Sequence, residues 1–182
     1  DFTGPAFAPG NNQIFFAKTV TTSFGDLGLE FEPGPDDARL WWDSTDGFGV
    51  NYSGSYEPDE IEGPEFLNLF FSEPIILQSI HVTDLFNEHG YLEIGMYDVG
   101  GGDDFIIADS LQFLGSTNGD LWVPVGQTAN YIRFSAPGEI GDTGHEYSVA
   151  GVKVAAVPIP GAVWLLGSGL LGLLGLRRRV KK

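Results

Sequence analysis

The sequence predicts an all-β fold, a β-sandwich of jelly-roll type, followed by one C-terminal transmembrane α-helix. A closed barrel is the alternative for the body. Three observations carry this expectation. Short runs rich in Phe, Ile, Val, Tyr and Trp alternate with clusters of Gly, Pro, Asp and Asn, the punctuation of antiparallel strands joined by turns. Roughly ten such runs share the first 160 residues, enough chain for one sizeable core. Beyond Pro158 and Pro160 the composition changes, and Gly161 to Leu176 carry no charge.

In chain order the expected strands are Gln13–Val20, Leu27–Phe31, Ala38–Trp42, Gly47–Tyr52, Glu65–Phe71, Ile75–Thr83, Tyr91–Tyr97, Phe105–Asp109, Leu121–Val125, Tyr131–Ser135 and Tyr147–Val154. Within Ile75–Thr83 the apolar phase slips, from Ile75 and Leu77 to Ile80 and Val82, which predicts a bulge near Gln78-Ser79. In the last strand, alternation would put Ser148, Ala150, Val152 and Val154 on one face and Tyr147, Val149, Gly151 and Lys153 on the other. The expected organisation is an ectodomain over 1–156, a Pro-containing hinge over 157–160, and a transmembrane helix with a basic tail over 161–182.

The anchor is short. At about 1.5 Å per residue, Gly161 to Leu176 reach roughly 24 Å, and Val157, Ile159 and a snorkelling Arg177 extend that toward a hydrocarbon core of about 30 Å. Arg177, Arg178, Arg179, Lys181 and Lys182 form the cationic flank expected in the cytoplasm, with Trp164 near the opposite interface. Trp164, Ser168, Gly172 and Gly175 fall on one helical face, where small residues allow another helix to approach; lipid exposure is the alternative. The chain opens on Asp1 rather than Met, the expectation for an exported protein freed of its signal peptide.

Val157-Pro158-Ile159-Pro160, the helix 162–174 (AVWLLGSGLLGLL) and Arg177-Arg178-Arg179 together resemble the sorting signal of PEP-CTERM proteins of Gram-negative bacteria. The match is to the variant whose tail opens Val-Pro-Leu-Pro, with Ile159 where the commoner box has Glu. The resemblance implies processing by an exosortase and a place in the cell envelope, the body being periplasmic or extracellular. A generic tail anchor is the alternative. The segments DGFGVNYS (46–53), DEIEGPEFLNLFF (59–71), IHVTDLF (80–86) and HEYSVAGVKV (145–154) are similar to the β-sandwich ectodomain of many such proteins, which implies a fold and no activity.

Charge is split along the chain. The tail holds five of the nine Lys and Arg and none of the 25 Asp and Glu, so residues 1–160 carry four basic side chains against 25 acidic, or −21. Such a body repels nucleic acid and anionic lipid, which removes both as partners of the body. It could attract calcium or a basic protein surface, although acidity also serves simply to keep an exported domain soluble. The absence of cysteine excludes disulfides, thiolate metal sites and a cysteine nucleophile.

The densest acidic stretch, Glu57, Asp59, Glu60, Glu62 and Glu65 with Asp43 and Asp46 upstream, is the candidate calcium site, because turns can combine carboxylates with main-chain carbonyls. Asp84, Glu88 and His89 lie close in sequence, but the three histidines lack zinc-site spacing. Gly100-Gly101-Gly102-Asp103-Asp104 reads as a hairpin turn rather than a phosphate loop. Trp41 and Trp42 point to opposite faces of their strand, which offers one of them to a glycan as a stacking surface; burial of both under loops is the alternative. No catalytic signature is present, and the expected function is binding or structural: an exported, membrane-anchored protein, alone or as a subunit of a membrane complex or homo-oligomer. The alternative is a polysaccharide hydrolase using two acids from 57–65 or 84–88.

Overall fold

The structure is a computed structural model and describes residues 1–9, 12–53, 59–88, 91–100, 111–138 and 145–158. Among the described residues, twelve strands follow a short 3-10 turn at Pro5–Phe7: β1 Phe16–Thr22, β2 Gly25–Gly34, β3 Arg39–Asp43, β4 Gly47–Asn51, β5 Ile61–Glu62, β6 Phe66–Thr83, β7 Asn87–Glu88, β8 Tyr91–Leu92, β9 Ile94–Gly100, β10 Leu111–Leu114, β11 Leu121–Ser135 and β12 Glu146–Ala156. All but β7 and β8 belong to one antiparallel, curled sheet.

Two long strands make the curl. The first half of β6 pairs with β2 on one side and with Tyr131–Ser135 of β11 on the other; the second half pairs with β12 and with Leu121–Ala129 of β11. Between the halves, Ser72, Glu73 and Pro74 are exposed and fall outside the ladders, so Pro74 sits where no ladder N–H is required. One half of the sheet thus runs β1-β2-β6-β11-β9-β10 and the other β3-β4-β12-β6-β11. The sequence expectation had divided each long strand in two, reading the turn-like residues at 72–74 and 126–130 as ends.

The two halves face each other across the core, as in a β-sandwich. Phe31 of β2 stacks on Phe48 of β4 with ring centroids 4.4 Å apart, and Phe2 meets Phe31 edge-on at 5.2 Å. At the other end Phe113 of β10 lies edge-on to Tyr147 of β12, 5.4 Å away. The Tyr147 hydroxyl, fully enclosed, reaches the main-chain oxygens of Met96 and Ser135 at 3.0 Å each. Its burial drives the phenol well above its usual range despite the hydrogen bond to Ser135.

The bulge expected near Gln78 is present: Ser79 pairs with Lys153 and Leu77 with Val154, which leaves Gln78 over. A second bulge falls at Ala150, between the pairs Val149–Val82 and Gly151–His81. It reverses the alternation of β12, so Val152 and Val154 join Val149 against the core. The regular alternation expected for that strand is corrected on this point.

Tyr91–Tyr97 divides into β8 and β9, and the expected strand Phe105–Asp109 lies outside the described residues, as do Gly101 to Asp104. Among the described residues no helix is long and apolar enough to cross a membrane. The tail from Ile159 to Lys182, including Pro160, Trp164, Ser168, Gly172, Gly175 and Arg177 to Arg179, lies outside them. Val157 and Pro158 are described, and Val157 is exposed just past β12.

Candidate functional site

The acidic stretch meets the sheet beside β4. Val50 N donates to Glu60 O (3.1 Å), and Gly49 faces Asp59 so closely that a Cβ there would lie 1.7 Å from its carbonyl oxygen. Glycine at 49 is what lets the segment lie against the strand.

The sequence candidates divide here. Glu62 and Glu65 are 1% exposed. They close a turn, Glu65 N donating to Glu62 O and Glu62 N to Glu65 Oε2, both at 3.0 Å. Asp59 and Glu60 are half-buried, and Glu57 lies outside the described residues. Among the described residues no three His, Asp or Glu side chains come together as a metal ion would need.

What the segment does bring together is unlike the calcium expectation in one respect: it adds acids from distant strands. Burial first, then the charges of Glu146, Asp84, Asp59 and Glu93, pushes the Glu60 carboxyl up to about 9. Its Oε2 is enclosed and finds no hydrogen-bond partner among the described residues. Asp84 stands in the left-handed region (φ 60°) and is pushed up to about 7 by burial, then by the charge of Asp46 and a hydrogen bond with it, and by Asp59 and Asp43. Asp43 moves the other way. Desolvation raises it, but hydrogen bonds from the Thr45 side chain and N–H and from Asp46 N outweigh that and hold it low.

Both tryptophans of β3 are half-buried. Trp42 packs against the core, and its indole N–H donates to Phe2 O at 2.7 Å. The exposed indole is a different one. Trp122 of β11 is 51% exposed and is the cross-strand partner of His81 on β6. The two rings stack 4.4 Å apart and within 7° of parallel, and His81 Nε2 donates to Asp120 Oδ1 at 2.8 Å. Asp120 is held in turn, its carbonyl accepting from Ser116 Oγ at 2.9 Å. The next cross-strand row of this outer face holds Pro124, Ser79 and Lys153. Together these residues form a ledge with one fixed indole, an imidazole, a carboxylate, a hydroxyl and an ammonium. The sequence did carry a signal for it: Trp122 occupies the polar phase of a strand whose inward residues are Leu121, Val123 and Val125 across a bulge.

Of the other histidines, His145 Nδ1 accepts from Ile94 N at 3.1 Å, and His89 lies outside the described residues. Compared with known proteins, the chain matches no family model, no curated protein and no solved structure.

Proposed function

We propose that this is an exported, membrane-anchored protein of the Gram-negative cell envelope, a jelly-roll β-sandwich that binds a glycan at the envelope rather than turning one over. The C-terminal segment tethers it and serves as an exosortase sorting signal, alone or as a helix packed into a membrane complex or homo-oligomer. The observation that supports binding is the ledge. An aromatic ring fixed by a stacked imidazole, with its surroundings rich in hydrogen-bonding groups, suits the apolar face and hydroxyl rim of a sugar.

The test is affinity electrophoresis of the full chain through gels containing envelope polysaccharides. Wild type should be retarded by at least one polymer, and Trp122→Ala should lose most of that retardation with its melting temperature unchanged. Equal mobility of the two in every gel removes the ledge as a glycan site.

A hydrolase is the second reading, supported by neighbouring carboxyls pushed in opposite directions, Asp43 down and Asp84 up to about 7. Release of reducing sugar that disappears in Asp84→Asn would favour it. Calcium is the proposed charge-relieving ion of the acidic stretch.

A further inference from the structure

The four cationic side chains of residues 1–160 are Lys18, Arg39, Arg133 and Lys153, and two of them converge on one cavity. Its volume of 360 Å³ falls within the range of about 300–1,000 Å³ usual for small-molecule sites. Glu32 on β2, Asn68 on β6 and Arg133 on β11 are consecutive cross-strand partners, so they form one polar row on the outer face of the sheet. Asp98 on β9 continues that row beyond Arg133.

The row is built to hold Arg133 still. Asn68 is 8% exposed, and its Oδ1 accepts from Tyr131 Oη at 2.8 Å and from Arg133 Nε at 2.9 Å. The guanidinium carbon lies 4.2 Å over the Phe66 ring. Arg39, which lines the same cavity, donates from Nη1 to the carbonyls of Asp37 and Ala38, both at 2.8 Å. Among the described residues neither guanidinium forms an ion pair. In a body with 25 carboxylates and four cations, two arginines held by amide and carbonyl oxygens line one cavity, and a planar guanidinium fork suits a carboxylate. The same cavity is lined by Glu32, Asp36 and Asp37 and by exposed Ile14.

We propose that this cavity binds a sugar acid. The two guanidinium groups would take a single carboxylate, the ring hydroxyls would donate to the lining carboxylates, and Ile14 would cover ring C–H groups. A simple anion matches only the arginines and brings no hydroxyl to the lining carboxylates, and a polyanion is repelled by the body's −21. The cavity is separate from the ledge. Trp122 pairs with His81 in one half of the sheet and Arg133 with Asn68 in the other, so failure of one site leaves the other testable.

The experiment is isothermal titration of the detergent-solubilised full chain with methyl glucuronide, methyl galacturonide, methyl glucoside and acetate. One of the uronides should bind at least tenfold more tightly than both glucoside and acetate. Arg133→Lys, which keeps the charge and loses the fork, should weaken it at least tenfold, and so should Arg39→Gln, the arginine's Nη1 bonding the carbonyls of residues 37 and 38 beside it. Trp122→Ala should bind as wild type does. No uronide binding, equal binding of glucoside or acetate, or full affinity in folded Arg39→Gln would each overturn the proposal.

Discussion

Replacing Glu60 with Gln should stabilise the protein at neutral pH and flatten its stability-pH curve. The folded-state carboxyl titrates near 9 against a reference of 4.5. Because the folded state holds this proton more tightly, the unfolded state binds fewer protons between those two values. Stability therefore falls as pH rises through that window, with no penalty below 4.5 and the full penalty above 9. At pH 7 the gap of about 2.5 units corresponds to roughly 3 kcal/mol at about 1.4 kcal/mol per unit, an upper figure because the side chain is only half-buried by surface area. Gln has the same shape and no charge to desolvate, so Glu60→Gln should recover about 1–3 kcal/mol at pH 7 and almost nothing at pH 4. The assay is urea unfolding of both proteins from pH 4 to pH 9 in a chelating buffer, which keeps divalent cations from doing the work of the proton. Parallel curves for the two proteins would refute the reasoning, since they would mean that Glu60 does not carry this proton linkage.

Four further outcomes follow from the structure and the sequence. Gly49→Ala should destabilise by about 3 kcal/mol by urea unfolding, because its Cβ would strike the Asp59 carbonyl, main chain that cannot rotate away. Tyr147→Phe removes the hydroxyl between Met96 O and Ser135 O and should lower stability by about 1–3 kcal/mol with secondary structure intact. Millimolar calcium should raise the melting temperature more than sodium at equal ionic strength; identical shifts would exclude a specific ion at the acidic stretch. Protease added outside spheroplasts should digest residues 1–155 and spare the basic tail, and full protection of the body would reverse the proposed topology.

Much of the strand pattern was legible because strands are local. Runs such as Leu27–Phe31 and Gly47–Tyr52 have their own period and their own turn residues, and β2 and β4 lie over them. Even the bulge at Gln78 left a mark in the apolar phase of a single strand. The bulge at Ala150 left none, since every residue from Tyr147 to Ala150 is buried and a continuous apolar run hides its phase. Nor could local pattern show that β6 continues through Pro74, where the ladder partners that excuse a proline lie on β2, β11 and β12.

The candidate sites divide in the same way. Sequence by itself determined which chemistry was available: no thiol, few cations, abundant carboxylates, four tryptophans, and a charged tail after an apolar stretch. Tertiary structure decided what each group faces. It enclosed Glu62 and Glu65 in a turn, gathered Asp46, Asp59, Glu60 and Asp84 from three separate segments, and turned Trp42 toward the core while leaving Trp122 stacked on His81 in solvent. Arg39 and Arg133, 94 residues apart, share a cavity only because β2 and β6 carry their neighbours side by side. Such meetings depend on which strands pair, and strand pairing is a property of the whole sheet, whereas residue type and alternation belong to each strand alone.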